Sequence, residues 1–178
     1  MIQLSLVPNF EGKITARNVT KGVDVELRRL PPLELQISLT TAYPSAVAPN
    51  IKVLSQFYAP YESLIQDLLR EKWYEGSMGV LYDYSQFIQD ELLENLEIKC
   101  AKRDKKQMRF EFPREADFIV FVTESQRSFK RQFDNEEHLC GICKRHLLGE
   151  KFFFLSGCEH FFCFECMQEL VEFKMKNG

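Results

Sequence analysis

The chain has 178 residues, of which 45% are hydrophobic, and its formal net charge is -3 at pH 7. That length suits one ordinary domain plus a small one, and the sixteen phenylalanines are ample for a core. The acidic balance argues against a wholesale nucleic-acid-binding protein, because such domains are usually basic.

The N-terminus does not have the pattern of a signal peptide. Residues Met1–Leu6 include no basic start, no long apolar core and no small-residue cleavage site. The longest wholly apolar run, Phe118–Val122, is far shorter than the roughly 20 residues that a membrane-spanning helix needs. We therefore expect no membrane association and a location in the cytoplasm, possibly also in the nucleus.

Four segments of the first half alternate apolar and polar side chains, which is the pattern of a half-buried strand. They are Ile2–Leu6, Val23–Leu27, Leu33–Leu39 and the shorter Ile51–Leu54. Four strands in succession, with no helix between them, predict an antiparallel meander.

Two helices are predicted after these strands. Pro60 opens the first, because its missing N–H costs nothing in the first turn, and Gly76 ends it. The second begins after Ser85, a favourable N-cap residue. Their apolar stripes consist of Leu64, Ile65, Leu68, Leu69 and Trp73, and of Phe87, Ile88, Leu92 and Leu96. A sheet followed by helices predicts an α+β domain with the helices on one sheet face.

The segments Leu30–Leu35 and Ala42–Ile51 resemble the RWD domain, including its Tyr-Pro turn at Tyr43-Pro44. The resemblance covers about residues 1–98. It implies the fold of a ubiquitin-conjugating enzyme without the catalytic cysteine, and a surface that binds a protein partner. The nearby Cys100 follows Lys99 but has no evident histidine or asparagine partner, so we interpret it as structural and inert.

A basic run closed by Pro113 follows, and we interpret residues 99–114 as a solvated, loop-like linker. Contact with RNA is the alternative, but few aromatic residues interleave for base stacking. Between Ala116 and Phe133 the β-branched run suits a strand, whereas the phenylalanine spacing suits a helix that ends at Asp134-Asn135. We favour the helix.

The predicted organisation is a domain over 1–98, a linker with a connecting helix over 99–137, and a small module over 138–178.

Five of the six cysteines lie between Cys140 and Cys166, as C-G-I-C at 140–143 and C-E-H-F-F-C-F-E-C at 158–166. Thiolate and imidazole are the ligands that tetrahedral zinc prefers. Disulfides need an oxidising compartment, whereas the N-terminus of this chain does not have the pattern of a signal peptide. Zn2+ is therefore the favoured interpretation of the cysteines. A module of about 40 residues rarely folds on apolar burial alone, so zinc would supply its folding energy. His138 and His146 are either spare ligands or, as we favour, exposed or capping residues.

The order of these ligands resembles the first six of the eight positions of a RING finger. The resemblance implies that Cys140, Cys143, Cys163 and Cys166 hold a first structural zinc. It implies that Cys158 and His160 form half of a second site. The last two ligands of that site are missing, so we expect the chain to be a C-terminally truncated fragment.

An RWD domain, a helix and a RING start together resemble the RWD-containing RING-between-RING (RBR) ubiquitin ligases. The resemblance implies that the module docks a ubiquitin-conjugating enzyme through Ile142, although Ile142 is alternatively a core residue of its turn. It assigns no catalytic residue here, because the transthiolating cysteine belongs to a distant second RING. The alternative function is a non-catalytic adaptor. A nucleic-acid-reading finger is disfavoured because Phe161, Phe162 and Phe164 crowd the ligands.

Overall fold

The structure, a computed structural model, describes residues 1–43, 46–73, 79–96, 98, 101–104, 106–154 and 160–177. The chain divides into two compact units, Met1–Ser128 and Phe129–Gly178. Within the described ranges, no helix is both long enough and apolar enough to cross a lipid bilayer.

The described part of the first unit contains seven strands, which form two sheets. The strands are β1 (Ile2–Leu6), β2 (Lys13–Asn18), β3 (Val23–Leu27), β4 (Leu33–Ser38), β5 (Asn50–Val53), β6 (Ala101–Asp104) and β7 (Gln107–Phe112). One sheet has the order β1-β4-β5 and the other has the order β3-β2-β7-β6. Together with the helices, these sheets confirm the predicted α+β class.

Alternation correctly predicted β1, β3, β4 and β5. In β4 the side chains of Leu33, Leu35 and Ile37 are buried, and the residues between them are only partly buried. Alternation does not reveal which strands pair. β1 lies beside β4, and Leu4 faces Leu35 across the antiparallel ladder.

The strand β2 was not predicted from the sequence. It forms an antiparallel hairpin with β3, and its buried face carries Ile14, Ala16 and Asn18. One of these side chains is small and one is polar, so the apolar alternation is weak. Asn18 is buried, and its side-chain oxygen accepts a hydrogen bond from the Lys21 N–H (3.0 Å). This bond satisfies the buried oxygen and stabilises the hairpin turn.

The interpretation of residues 99–114 as a loop-like linker is wrong for residues 101–104 and 107–112. β6 and β7 form an antiparallel hairpin, and β7 also runs parallel to β2, so that Phe110 lies opposite Ala16. The first compact unit extends to Ser128 and includes these strands. Lys99, Cys100 and Lys105 lie outside the described residues.

Charged side chains in this segment cover the outside of a strand. In β7, Met108, Phe110 and Phe112 are buried. Arg109 alternates with them, and its Nη2 lies 3.4 Å from the Oδ2 of Asp24 in β3. The charged residues dominate this segment of the sequence, and the apolar side chains that alternate with them form the buried face of β7.

Four α-helices lie in the described residues before the first clustered cysteine. They are α1 (Glu62–Glu71), α2 (Val80–Asp90), α3 (Leu92–Asn95) and α4 (Glu115–Asn135). A single 3-10 turn, Ala59–Tyr61, contains Pro60 and leads directly into α1, in agreement with the predicted helix start. Of the predicted apolar stripe, Ile65 and Leu69 are fully buried. Gly76, the predicted end, lies outside the described residues.

The predicted start of the second helix is wrong, because α2 begins at Val80 rather than after Ser85. The hydroxyl of Ser85 donates a hydrogen bond to the Leu81 carbonyl (2.9 Å) within the helix. A serine satisfied in this way does not need a cap position. Phe87 and Ile88 are buried in the core, as predicted.

The contested segment is helical, and α4 ends at Asn135 as predicted. Within the first unit, Phe121 of α4 is fully buried and packs against aromatic rings of β7 and of the turn after β5. The ring centroids lie 4.4 Å from Phe110, 4.8 Å from Phe57 and 5.1 Å from Phe112. This aromatic cluster fixes the first part of α4 to the sheet.

The carboxylate of Glu124, one turn after Phe121, connects α4 to the same turn after β5. It accepts hydrogen bonds from the backbone N–H groups of Phe57 and Gln56. Its Oε2 atom is buried and has no hydrogen-bond partner among the described residues. Glu124 therefore stabilises the turn through one oxygen while its second oxygen is desolvated.

We expect Glu124→Gln to remove a pH-dependent cost from the folded state. Burial, the largest influence, raises the pKa of Glu124 above its ordinary value of 4.5, although the two N–H groups oppose the shift. A carboxyl whose pKa is raised by folding stabilises the fold below its unfolded-state pKa. That stabilisation is lost as the pH rises through the folded-state pKa. The stability of the variant relative to the native chain should therefore increase as the pH rises from below 4.5 to above the folded-state pKa.

Urea unfolding of both proteins across this pH range measures the difference. Glu71→Gln, which removes an exposed carboxylate from α1, is the matched control. Glu124→Ala should instead be destabilising at every pH by about 1 kcal/mol, because two N–H groups lose their acceptor. A Glu124→Gln difference that follows the Glu71→Gln control at all pH values would contradict the expected shift.

Candidate metal centre

The second unit folds around little apolar side-chain volume. Its described strands are β8 (Glu137–Leu139), β9 (His146–Leu148), β10 (Phe152–Phe154) and β11 (Phe161–Cys163), followed by α5 (Phe164–Asn177). The strands pair as two antiparallel hairpins. Among the described residues of this unit, the buried core consists of Phe133, Cys140, Phe152, Cys163 and Cys166, and three of these five are cysteines. A unit of roughly 50 residues with such a core needs additional cross-links.

Four thiols from two separate segments converge in this unit. Cys140 and Cys143 flank the turn between β8 and β9, whereas Cys163 ends β11 and Cys166 lies in the first turn of α5. All four Sγ atoms lie within 4.8 Å of one another. These are the four residues that the sequence analysis assigned to a first zinc.

The spacing of the sulfur atoms fits a metal ion. Zinc–thiolate bonds of about 2.3 Å in a tetrahedron separate neighbouring sulfurs by about 3.8 Å. The Sγ atoms of Cys143 and Cys163 are 3.8 Å apart. Four thiols that could hold a metal ion are therefore already in place, and thiolate donors favour zinc among the common divalent ions.

The backbone of the first ligand turn is held in place by its own hydrogen bonds. The Lys144 N–H donates to the Cys140 carbonyl (3.1 Å), and the Cys140 N–H donates to the Arg145 carbonyl (3.0 Å). Lys144 adopts a left-handed conformation with a φ of 58°, which reverses the chain after Cys143. A Cβ atom at Gly141 would lie 2.9 Å from a ring carbon of Phe162, so a side chain there would displace this ring.

Ionisation is favoured at the first ligand pair and opposed at Cys166. Burial raises the pKa of Cys140, but backbone N–H groups, including that of Cys163, outweigh burial and lower its pKa to about 6. The hydrogen bond from Arg145 lowers the pKa of Cys143. Burial and hydrogen bonds to the other thiols raise the pKa of Cys166 to about 12. Metal binding should therefore release protons and weaken at low pH.

The remaining predicted site residues either do not belong to this four-thiol group or lie outside the described residues. Cys158, assigned to a second zinc, lies outside the described residues. His160 is exposed just before β11, and its ring lies parallel to that of Phe162, with the centroids 6.3 Å apart. Ile142, between the first two thiols, leaves 49% of its surface exposed.

The two flanking histidines are not members of the four-thiol group. His138 packs its ring on Phe133, with the centroids 3.9 Å apart, and its Nε2 lies 2.9 Å from the Phe133 carbonyl oxygen. It therefore caps the C-terminal turn of α4, in agreement with the capping interpretation. His146 is exposed in β9, in agreement with the interpretation as an exposed residue.

Sequence analysis missed two residues that shape this unit. A Cβ atom at Gly149 would lie 1.8 Å from the Phe133 carbonyl oxygen, so no larger residue fits beside the end of α4. The Gly149 N–H also donates to the Glu136 carbonyl (2.9 Å). Arg145 donates from Nε to Cys143 Sγ (3.4 Å), and its Nη2 pairs with Glu165. The sequence feature that could have identified Arg145 is its place as a basic residue two positions after the ligand Cys143.

Comparison with known proteins identifies the first part of the chain. Residues 3–92 match the model of the RWD domain family. No solved structure matches the chain.

Curated relatives match almost the whole chain. The E3 ubiquitin-protein ligase RNF14 of Danio rerio is 26% identical, and the match covers 98% of this chain and 44% of the relative. The proteins of the same name from Homo sapiens and Mus musculus are each 24% identical over 99% of this chain, covering 47% and 46% of their own length. The chain spans less than half the length of these relatives.

Proposed function

Because this chain belongs to the RWD domain family through residues 3–92, we propose that it is the recognition and docking portion of an RBR-type ubiquitin ligase. The observation that carries the proposal is the extent of the similarity to proteins named as ubiquitin ligases. That similarity covers 98–99% of the chain, so it includes the four-thiol unit as well as the RWD region. A match to the RWD region alone would support only a protein-binding domain.

The metal centre has a structural role in this proposal. Cys140, Cys143, Cys163 and Cys166 hold one Zn2+ ion, which the distances between their sulfurs support. Four protein ligands fill a tetrahedral ion and leave no position for a reactive water. Cys158 and His160 are assigned to a second zinc that needs two further ligands. No residue of this chain is assigned a catalytic role.

Ile142 is the proposed contact to a ubiquitin-conjugating enzyme. It lies between two metal ligands in a turn whose backbone is fixed by hydrogen bonds, yet about half of its surface is exposed. An apolar side chain held rigidly at the surface loses little conformational entropy on binding. It is therefore suited to act as an anchor of an interface.

We expect Ile142→Ala to weaken the binding of a ubiquitin-conjugating enzyme by about 10-fold or more, because truncation of an interface anchor typically costs about 2 kcal/mol and about 1.4 kcal/mol is tenfold. Titration calorimetry of the zinc-loaded chain against a panel of ubiquitin-conjugating enzymes measures this. Val171→Ala is the matched control, because it removes a similarly exposed β-branched side chain from α5. Equal weakening by both variants would contradict the assignment of Ile142.

A panel in which no enzyme binds the folded, zinc-loaded chain would instead favour the non-catalytic adaptor. In both cases we assign the RWD region to a protein partner.

The four described thiols are free and adjacent rather than joined as disulfides. This state suits a reducing compartment, so we place the protein in the cytoplasm, possibly also in the nucleus.

A further inference from the structure

The metal centre has one ligand that solvent can reach. Cys140, Cys163 and Cys166 are buried, whereas Cys143 is only partly buried. Acids, oxidants and alkylating reagents attack thiolates according to their access and basicity. Cys143 is therefore the sulfur at which loss of a bound ion should begin.

Arg145 contacts this sulfur directly. The left-handed Lys144 turns the chain back, so that the Arg145 carbonyl accepts the Cys140 N–H and the Arg145 Nε donates to Cys143 Sγ (3.4 Å). Both the main chain and the side chain of Arg145 therefore bind the first ligand turn.

The same guanidinium also reaches the second ligand pair. Its Nη2 pairs with Glu165, which lies in α5 between Cys163 and Cys166. Both side chains are more than half exposed, and an exposed ion pair contributes only about 0–1 kcal/mol to stability. The pair is too weak to hold the unit together, so its main effect should be to orient the guanidinium toward the sulfur.

We propose that Arg145 is an outer-sphere positioning residue that protects the Cys143 thiolate in the metal-loaded protein. Four thiolates around a divalent cation carry excess negative charge, and an N–H donor at one sulfur lowers its basicity and nucleophilicity. This inference depends on the proposed zinc centre.

The test compares zinc release from the zinc-loaded chain and its variants, monitored with a chromogenic chelator. Arg145→Gln should release zinc about 10-fold faster in N-ethylmaleimide, because loss of an outer-sphere partner typically weakens a metal site by at least this factor. Glu165→Gln, which leaves Arg145 in place but unpaired, should have a smaller effect. Lys151→Gln removes an exposed cation paired with Glu150 in the same unit and should match the native chain.

Two further measurements separate protection of the sulfur from general destabilisation. Mass spectrometry should show that Arg145→Gln accelerates alkylation of Cys143 first. In the Co2+-loaded protein, the same variant should shift the sulfur-to-cobalt charge-transfer band. Arg145→Lys keeps the charge but not the planar guanidinium fork, so it should restore part of the resistance to N-ethylmaleimide and less of the band position.

The outcomes are distinguishable. If the native chain takes up no zinc or Co2+, the proposed metal centre is wrong, and this inference is wrong with it. If the native chain binds zinc but Arg145→Gln behaves like Lys151→Gln in release rate, alkylation order and absorption, the metal centre stands and the role of Arg145 is refuted. If the Arg145→Gln chain cannot be loaded with zinc, Arg145→Lys tests the role of Arg145 by the same readouts.

Discussion

Cys163→Ser is expected to unfold residues 129–178 and to leave the first unit, Met1–Ser128, folded. Cys163 is almost fully buried, its Sγ lies 3.8 Å from that of Cys143, and its N–H donates to Cys140 Sγ (3.5 Å). A serine hydroxyl at this position is a poor zinc ligand and leaves a polar group in the centre of the small core.

The expected loss is large because metal binding and folding are coupled in a unit of this kind. Structural zinc contributes about 10–16 kcal/mol in small zinc-binding modules, which exceeds what the few buried phenylalanines can supply. Removal of zinc by a chelator should therefore have the same effect on the native chain as the substitution has without a chelator.

Elemental analysis and hydrogen exchange measure these effects together. The native chain should retain about one tight equivalent of zinc, and Cys163→Ser should retain none. Amide protection should be lost in β8 to β11 but kept in β4 of the first unit. Cys100→Ser, the same chemical change at a cysteine not assigned as a ligand, should retain the zinc. Two tight equivalents in the native chain would overturn the ligand assignment, and retained protection in Cys163→Ser would refute the coupling.

The sequence is sufficient to predict structure where the signal is local. The strand β4 was predicted because Leu33, Leu35 and Ile37 repeat at every second position, and both faces of that pattern are visible within six residues. The cysteine pairs were likewise recognised as candidate metal ligands from their two-residue gaps, whereas their assignment to one shared ion came from the resemblance to a RING finger. In both cases the required spacing is set by backbone geometry over a few residues.

Prediction fails where a strand depends on a distant partner. β2 and β7 pair in parallel although they lie far apart in the sequence, and Ala16 contributes only a small side chain to the buried face. β2 therefore lacks a strong apolar pattern of its own, whereas in β7 the buried Met108, Phe110 and Phe112 alternate with charged and polar residues. The run of basic residues that includes Arg109 was instead taken as evidence for a solvated loop.

The same limit applies within the metal centre. The ligands were assigned from the cysteine pattern and its resemblance to a RING finger. Arg145, in contrast, reaches Cys143 only because Lys144 is left-handed, and the sequence does not indicate this conformation. Gly149 is required only because the end of α4 lies against it. Residues that support a site are placed by tertiary contacts, and these leave weaker signals in the sequence than the ligands do.

Phe121 is the residue through which α4 should contribute most to the first unit. Its ring is fully buried among three other phenylalanine rings. Phe57 lies in the turn after β5, whereas Phe110 and Phe112 lie in β7, within the segment that was predicted to be a linker. The match to the RWD family ends at residue 92, whereas this aromatic cluster depends on residues beyond it. If the cluster is part of the folding unit, its loss should destabilise the RWD region itself.

We expect Phe121→Ala to lower the free energy of unfolding of the first unit by about 3–5 kcal/mol, because the cavity it leaves is enclosed by rigid rings. Trp73, the single tryptophan, lies in this unit, so its fluorescence during urea unfolding reports on this unit specifically. Ile119→Ala is the matched control, since it truncates an exposed apolar side chain of the same helix and should change stability by less than about 0.5 kcal/mol. A Phe121→Ala loss as small as that of the control would mean that the RWD region folds without α4, and its boundary would then lie before Glu115.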